Sequence, residues 1–285
     1  MKVISMENPI SDPLVENVIV DDIADVVRLE ASPEGVVFVT LKRPAEHNAL
    51  NALAVEGLAE ALETLHGAEG VRIVFLRGAE GEFGGSLDRA QVTVASEDWI
   101  EDDVRGDAVA AGRLLRAVAA TPALTVAIVE GAVRSLGVGL VAACDMAVAR
   151  YDAVFAVPDL KLGLLPAMIA PYLMRAVGPR EAQALCALGR SFDAAEARRL
   201  GLVQEVVEGP ADLDHAMDRL IDWALTSAPE AVAELKTLFA EIAYKSPDHA
   251  LIESLAQRHA ARWVRPEARE GVAAYLERRK PRWNR

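Results

Sequence analysis

Strand and helix patterns alternate along the first 207 residues of the chain, and only helical patterns follow them. Short apolar runs bounded by turn residues predict strands, the clearest at residues 36–41, 71–76, 124–129 and 203–207. Residues 26–29 form another such run, separated from residues 36–41 by a turn at residues 32–35, which predicts a hairpin. Elsewhere apolar residues recur at helical spacing, as in residues 52–65, which Asn51 is expected to cap, and in residues 108–120. Such alternation is typical of a sheet covered by helices. The order therefore predicts an α/β core followed by a region of helices alone.

A chain of 285 residues is long enough for one large domain with an appendage. We expect the core to span residues 25–210 and the helical region to span residues 211–285. The helical region must bury its apolar faces, and contacts between subunits are one place to do so. Residues 1–24 contain Pro9 and Pro13, which favour an extended arm, with a disordered tail as the alternative.

Charge and composition argue against several classes of function. The formal net charge is −13, whereas proteins that bind nucleic acid or anionic membranes need basic surfaces. No apolar stretch reaches the roughly 18 residues of a membrane-spanning helix, so we expect no membrane partner. Cys144 and Cys186 lie in apolar runs without the spacing of a metal site. We therefore expect no bound metal, and buried thiols in a reducing compartment, the cytoplasm.

A turn of small residues follows the predicted strand at residues 124–129. Its small or turn-prone members are Gly131, Ser135, Gly137 and Gly139. A buried helix is expected to begin near Leu136, and the first N–H groups of a helix have no partner within it. Such groups favour an anion or a developing oxyanion. The alternative is a tight turn whose glycines only allow close packing.

A second loop with glycines follows the preceding strand. GEFGGSLD occupies residues 81–88, just past the strand predicted at residues 71–76. Two such loops after consecutive strands can direct two backbone N–H groups at one carbonyl oxygen. A thioester enolate needs this arrangement.

Five blocks of the chain resemble, in order and at similar spacing, the signature blocks of the crotonase superfamily, the enoyl-CoA hydratases and isomerases. The blocks are LKRPAEHNALN (41–51), EFGGSLD (82–88), VEGAVRSLGVGLVAACDMAVA (129–149), FAVPDLKLGLLP (155–166) and GRSFDAAEARRLGLVQEVV (189–207). The resemblance implies a spiral of ββα repeats with a C-terminal helical region that forms a trimer or a dimer of trimers. It also implies an acyl-CoA thioester substrate of the kind found in fatty acid metabolism. Coenzyme A is then part of the substrate, and no separate cofactor is expected.

The same resemblance implies that the backbone N–H groups of Gly85 and Leu136 form the oxyanion hole. The family usually has glycine where this chain has Ser135 and Leu136, so the turn departs from the usual pattern. The implied substrate-binding positions are Ser86, Leu87, Asp88, Arg134, Ser135, Gly137, Gly139 and Lys280. Among these, Ser86 and Leu87 replace the usual Gly-Ala.

Hydratases with two carboxylates have glutamates at the positions of Gly139 and Asp159. Asp159 is therefore the single candidate general acid/base, unless it only caps the turn after Pro158. One carboxylate can move a proton between C2 and C4, which favours a Δ3-Δ2 enoyl-CoA isomerase. Conversely, residues 137–149 and 162–178 resemble the branch of methylglutaconyl-CoA-type hydratases, which also lack the first glutamate. We therefore expect a hydratase, with an isomerase as the close alternative.

Two basic residues leave further alternatives open. Arg134 lies inside the turn, where it is an exposed arginine, a subunit salt bridge or a contact for a second carboxylate or a phosphate of the ligand. Arg134 as a contact for a carboxylate or a diketone would fit another enolate reaction, such as decarboxylation or retro-Claisen cleavage. The resemblance implies that Lys280 helps to hold the CoA phosphates, with a solvated tail as the alternative. A chain that binds CoA esters as an oligomer with little or no turnover is the third possibility.

Overall fold

A computed structural model describes residues 19–85 and 101–284 of the chain. The strands in these ranges are β1 (Ile19–Ile23), β2 (Val27–Ala31), β3 (Val36–Leu41), β4 (Ile73–Gly78), β5 (Leu124–Val129), β6 (Ala132–Arg134), β7 (Met146–Arg150), β8 (Val154–Ala156), β9 (Ser191–Asp193) and β10 (Glu205–Val207). The α-helices are α1 (Ala52–His66), α2 (Glu101–Ala120), α3 (Leu136–Ala143), α4 (Ala170–Val177), α5 (Pro179–Leu188), α6 (Ala194–Leu200), α7 (Pro210–Thr226), α8 (Pro229–Ile242), α9 (His249–Trp263) and α10 (Pro266–Leu276).

Seven of the strands form one sheet in the order β1-β2-β3-β4-β5-β7-β10. The first three strands pair antiparallel, and the pairs from β3 to β10 are parallel. A smaller sheet has the order β6-β8-β9, in which β6 and β8 are parallel. Because parallel strands end at the same edge, the loops that follow β4 and β5 lie next to each other. The predicted alternation of strands and helices thus produces an α/β core with helices after it.

The large sheet is covered on both faces, as the alternation of side chains along β4 shows. Ile73 and Phe75 pack with the apolar face of α7, in a cluster that includes Leu213 and Leu220. Val74 and Leu76 point to the opposite face, where they belong to a cluster that includes side chains of α1, α2 and α3. Residues i and i+2 of a strand share a face, so one strand supports both layers.

Several predicted elements are confirmed, and others differ for local reasons. The predicted strands at residues 26–29 and 36–41 form the β2–β3 hairpin. Asn51 caps α1, because its side chain accepts a hydrogen bond of 2.9 Å from the Ala54 N–H. Helix α2 begins at Glu101 rather than at residue 108, and its acidic first turn has no apolar period that sequence analysis can detect. The strands β6 and β9 were not predicted, since each has a single buried side chain among its three residues and does not belong to a longer apolar run.

The C-terminal helices are attached to the starting edge of the large sheet by two partly buried cations. Arg72, just before β4, donates hydrogen bonds to the carbonyls of Ala224 (3.0 Å) and Trp283 (3.0 Å). Lys236 of α8 forms an ion pair of 2.6 Å with Asp145, whose carboxylate also accepts hydrogen bonds from Thr125. Asp145 therefore has a structural role at the start of β7.

Few apolar side chains of α8, α9 and α10 are buried within the single chain; in these three helices Ala274 alone is classed as fully buried. None of the helices in residues 19–85 and 101–284 is both long enough and apolar enough to cross a membrane.

Candidate active site

The two loops singled out in the sequence run side by side at the carboxyl edge of the large sheet. The N–H of Phe83 donates to the carbonyl of Glu130 at 2.8 Å, and the N–H of Gly84 donates to the carbonyl of Ala132 at 3.2 Å. Gly84 also forms an isolated parallel bridge with Val133. The loop after β4 is therefore held along the loop after β5, as the sequence predicts.

Glycine is required where these loops touch. Gly85 has a φ of +99°, and a Cβ atom built on it would lie 2.3 Å from the Cα atom of Gly137. A Cβ atom on Gly137 would lie 2.5 Å from the carbonyl oxygen of Gly84. Any side chain at either position would push the loops apart. Leu136, which precedes Gly137, begins α3, so the first N–H groups of that helix lie beside the Gly85 loop.

The N–H of Gly85 already has a partner within the chain. It donates a hydrogen bond of 3.1 Å to the carbonyl oxygen of Asn48. A ligand oxygen at this N–H must therefore share it with Asn48 or displace that carbonyl. The oxyanion hole implied by the resemblance remains a prediction. One of its two expected donors, the Gly85 N–H, is already hydrogen-bonded to Asn48.

Asn48 is a structural residue of the site that sequence analysis missed. It is fully buried and has a φ of +49°, a conformation that asparagine tolerates better than most residues. Its side chain donates to the carbonyls of Ala79 (2.9 Å) and Glu82 (2.6 Å) and accepts from the N–H of Arg43 (2.8 Å). Asn48 thus holds the whole loop between β4 and Gly85. The only signal for it in the sequence is an asparagine in the turn of the LKRPAEHNALN block.

Asp159 and Ser135 meet because their strands are neighbours. β6 pairs with β8 in parallel, with Arg134 opposite Ala156, so the residues that follow these strands leave the small sheet at the same edge. Asp159 begins a short 3-10 turn, Asp159–Leu162. The hydroxyl of Ser135 donates a hydrogen bond of 2.8 Å to Oδ2 of Asp159. The predicted acid/base residue is therefore placed next to the start of α3.

A second ionisable group lies near this carboxylate. Burial raises the pKa of the Cys186 thiol on α5, and the negative charge of Asp159 raises it further. Burial is also the main cause that raises the pKa of the Cys144 thiol, with Asp145 adding to it, although part of that residue reaches the surface. The sequence placed both cysteines in apolar surroundings but did not indicate that one of them lies near Asp159.

Because the charge of Asp159 disfavours the thiolate, we expect Asp159→Asn to speed alkylation of Cys186 by about twofold at neutral pH. Iodoacetamide labelling followed by peptide mass spectrometry measures the rate at each cysteine separately. Cys144 is the internal control and should keep its rate. Equal changes at both cysteines would indicate general loosening of the fold and contradict the electrostatic contact.

The position where two-carboxylate hydratases carry a glutamate is filled by apolar side chains here. A Cβ atom on Gly139 would lie 2.3 Å from Cγ2 of Ile169 and 3.4 Å from Cδ2 of Leu115. Ile169 is only 3% exposed. The absence of a carboxylate at residue 139 therefore goes with a close helix contact between α3 and the start of α4.

Within the described part of the chain, no hydrogen bond joins the remaining predicted site residues to Asp159 or Gly85. Ser86, Leu87 and Asp88 lie outside the described residues. The exposed side chain of Arg134 makes no hydrogen bond or ion pair with the described part of the chain. Lys280 is exposed and lies three residues before Trp283, whose carbonyl is bound by Arg72 at the start of β4. Gly85 follows the end of β4, whereas the Trp283 carbonyl is held at the start of that strand.

Metal-ligating side chains are not clustered at this site or elsewhere in residues 19–85 and 101–284. In those ranges, no group of three or more His, Cys, Asp or Glu residues is arranged to hold a metal ion.

Known proteins are similar to this chain in both sequence and fold. Residues 31–285 match the family described as "Enoyl-CoA hydratase/isomerase". The bovine (Bos taurus) "Enoyl-CoA hydratase domain-containing protein 2, mitochondrial" is 32% identical over 268 residues, covering 90% of this chain and 87% of that protein.

Two solved structures are similar over nearly their whole length. An enoyl-CoA hydratase from Shewanella pealeana has a TM-score of 0.86 and 28% identity, over 90% of this chain and 96% of that one. AtuE from Pseudomonas aeruginosa has a TM-score of 0.86 and 34% identity, over 91% and 100%. The fold class expected from the resemblance is confirmed.

Proposed function

Because the chain belongs to the enoyl-CoA hydratase/isomerase family, we propose that it is a hydratase-like enzyme that moves a proton at the α-carbon of an acyl-CoA thioester through Asp159. The observation that carries this proposal is the hydrogen bond of 2.8 Å from Ser135 to Asp159. It places a carboxylate beside the first N–H groups of α3. A base next to hydrogen-bond donors for the thioester oxygen is what enolate formation needs.

We propose the following roles for these groups. The N–H of Leu136, at the start of α3, donates to the thioester oxygen as negative charge develops there. The N–H of Gly85 contributes by sharing its hydrogen with the carbonyl of Asn48. Asp159 takes or returns the proton at carbon. In hydration, Asp159 also has to activate the attacking water, because residue 139 carries no second carboxylate.

Isomerisation is the second candidate, and the packing around Gly139 favours it. Ile169 and Leu115 fill the space beside Gly139, which leaves an apolar wall there. A single carboxylate suffices to move a proton between C2 and C4 of an enoyl thioester. The resemblance to the methylglutaconyl-CoA-type branch supports the hydratase instead, and it remains a prediction. Decarboxylation or retro-Claisen cleavage would use Arg134 as the contact for a second carboxylate or a diketone.

Binding of the CoA phosphates is proposed to involve a neighbouring subunit. Because the backbone three residues after Lys280 lies beside the start of β4 in its own chain, Lys280 is proposed to serve the site of a neighbour in a trimer or a dimer of trimers. This assembly is supported by large apolar side chains that α7 to α10 leave exposed, among them Trp223, Leu235, Phe239, Ile252, Trp263, Tyr275 and Leu276. Light scattering on the purified protein measures the number of subunits.

The function is tested by deuterium exchange and product analysis. The protein is incubated in heavy water with saturated, 2-enoyl and 3-enoyl CoA thioesters, and mass spectrometry follows deuterium uptake and products. Asp159→Asn is the control. Addition of water across the 2-enoyl ester identifies a hydratase, whereas a shift of the double bond without hydration identifies an isomerase. Binding of CoA esters with no exchange on any of them would contradict the enzymatic proposal and favour the binding protein.

A further inference from the structure

Ser135 has a backbone conformation that a residue with a side chain rarely adopts. Its φ is +44° and its ψ is −109°, and it directly precedes α3. Its N–H donates to the carbonyl of Ala156 at 3.0 Å, which holds this conformation against the small sheet. Glycine would adopt the same angles without strain. The strained backbone of Ser135 therefore indicates that its side chain has a specific role.

The contact that the Ser135 side chain makes is a hydrogen bond to Asp159. The Ser135 hydroxyl donates to Oδ2, while Oδ1 makes no hydrogen bond with any of the described residues. One carboxylate oxygen is thus held and the other is left for a substrate proton. We propose that Ser135 is a positioning residue, whose hydroxyl fixes the orientation of the Asp159 carboxylate. The proposal rests on the function proposed above, because it takes Asp159 to be the acid/base residue.

The turn that carries Asp159 does not depend on this hydroxyl for its own shape. Its backbone bonds include Lys161 N–H to Pro158 O (2.9 Å), Gly163 N–H to Leu160 O (3.1 Å) and Leu164 N–H to Asp159 O (3.0 Å). Removing the hydroxyl should therefore free the carboxylate to rotate without unfolding the turn. This separation makes the proposal testable by substitution.

Two variants separate the hydroxyl from the backbone strain. Ser135→Gly removes the hydroxyl and relieves the strain, whereas Ser135→Ala removes the hydroxyl and keeps the strain. We expect both variants to lose about tenfold in kcat for α-proton exchange, with the Kd for a CoA ester within about twofold of the original protein. The glycine variant should nevertheless melt at a higher temperature than the alanine variant. A glycine variant with unchanged kcat would overturn the proposal, since backbone shape alone would then explain the serine.

A measurement without turnover keeps this inference separate from the proposed function. The protein is labelled with 13C-carboxyl aspartate, and the infrared spectrum of Asp159→Asn identifies the band of Asp159 by subtraction. Loss of the hydroxyl donor should shift the antisymmetric carboxylate stretch in both Ser135 variants. If the original protein turns over no thioester but the band still shifts, the proposed function fails and the contact stands. An unshifted band overturns the positioning role whatever the activity.

Discussion

Asp159→Asn is expected to lower α-proton exchange by roughly a thousandfold, the usual size of a general acid/base contribution. The amide has nearly the same shape as the carboxylate, and its oxygen can still accept the hydrogen bond from Ser135. It cannot take a proton from carbon, however, and residue 139 offers no other carboxylate. We therefore expect a loss of kcat, with the Kd for a CoA ester and the melting temperature little changed.

A matched substitution controls for the loss of one carboxylate. Asp193 caps α6 by accepting a hydrogen bond of 2.8 Å from the Glu196 N–H, and asparagine caps helices about as well as aspartate. Asp193→Asn should retain full exchange activity. If Asp159→Asn keeps more than about a tenth of the original rate, Asp159 is not the acid/base residue, because that contribution is normally at least about a hundredfold.

Gly139→Glu is expected to destabilise the protein by more than about 4 kcal/mol, or to prevent its folding. The first side-chain carbon would overlap Cγ2 of Ile169 at 2.3 Å, and the carboxylate would be placed among buried apolar groups. The glutamate of two-carboxylate hydratases therefore cannot be restored here by one substitution. The free energy of unfolding in urea measures the effect.

A double-mutant cycle tests whether contact with Ile169 is the cause of the destabilisation expected from a side chain at residue 139. Gly139→Ala should cost about 1–3 kcal/mol by overpacking, and Ile169→Ala should cost about 2–5 kcal/mol by leaving a cavity. The Cβ atom added at residue 139 fills part of the cavity left by Ile169→Ala. The double variant should therefore lose at least about 1 kcal/mol less of its free energy of unfolding than the sum of the two single variants. Strict additivity, or a Gly139→Glu variant as stable as the original protein, would show that the space beside Gly139 is not filled as the structure indicates.

Prediction from the sequence succeeded where a feature depends on nearby residues. The β2–β3 hairpin follows from two apolar runs and a short turn, and the start of α1 follows from Asn51, which caps it locally. Helix α2 was predicted too short, since its first two turns are acidic and carry no buried apolar face. The strands β6 and β9 exist only because β8 pairs with both of them.

At the candidate site, too, some features follow from the sequence alone and others require the tertiary structure. Residue identity alone shows that position 139 is glycine, that Asp159 is the remaining carboxylate, and that glycines stand at positions 85 and 137. Three contacts required the tertiary structure: Ser135 with Asp159, Gly139 with Ile169, and the Asn48 carbonyl with the Gly85 N–H.

The partners in these contacts are at least 24 residues apart, and they meet only where separate strands and helices end side by side. Short-range patterns encode which elements form, but the pairing of distant elements decides which side chains touch. For that reason the sequence indicates a single-carboxylate site. Which hydroxyl holds the carboxylate, and what occupies the place of the missing one, depend on the pairing of β6 with β8 and the packing of α3 against α4.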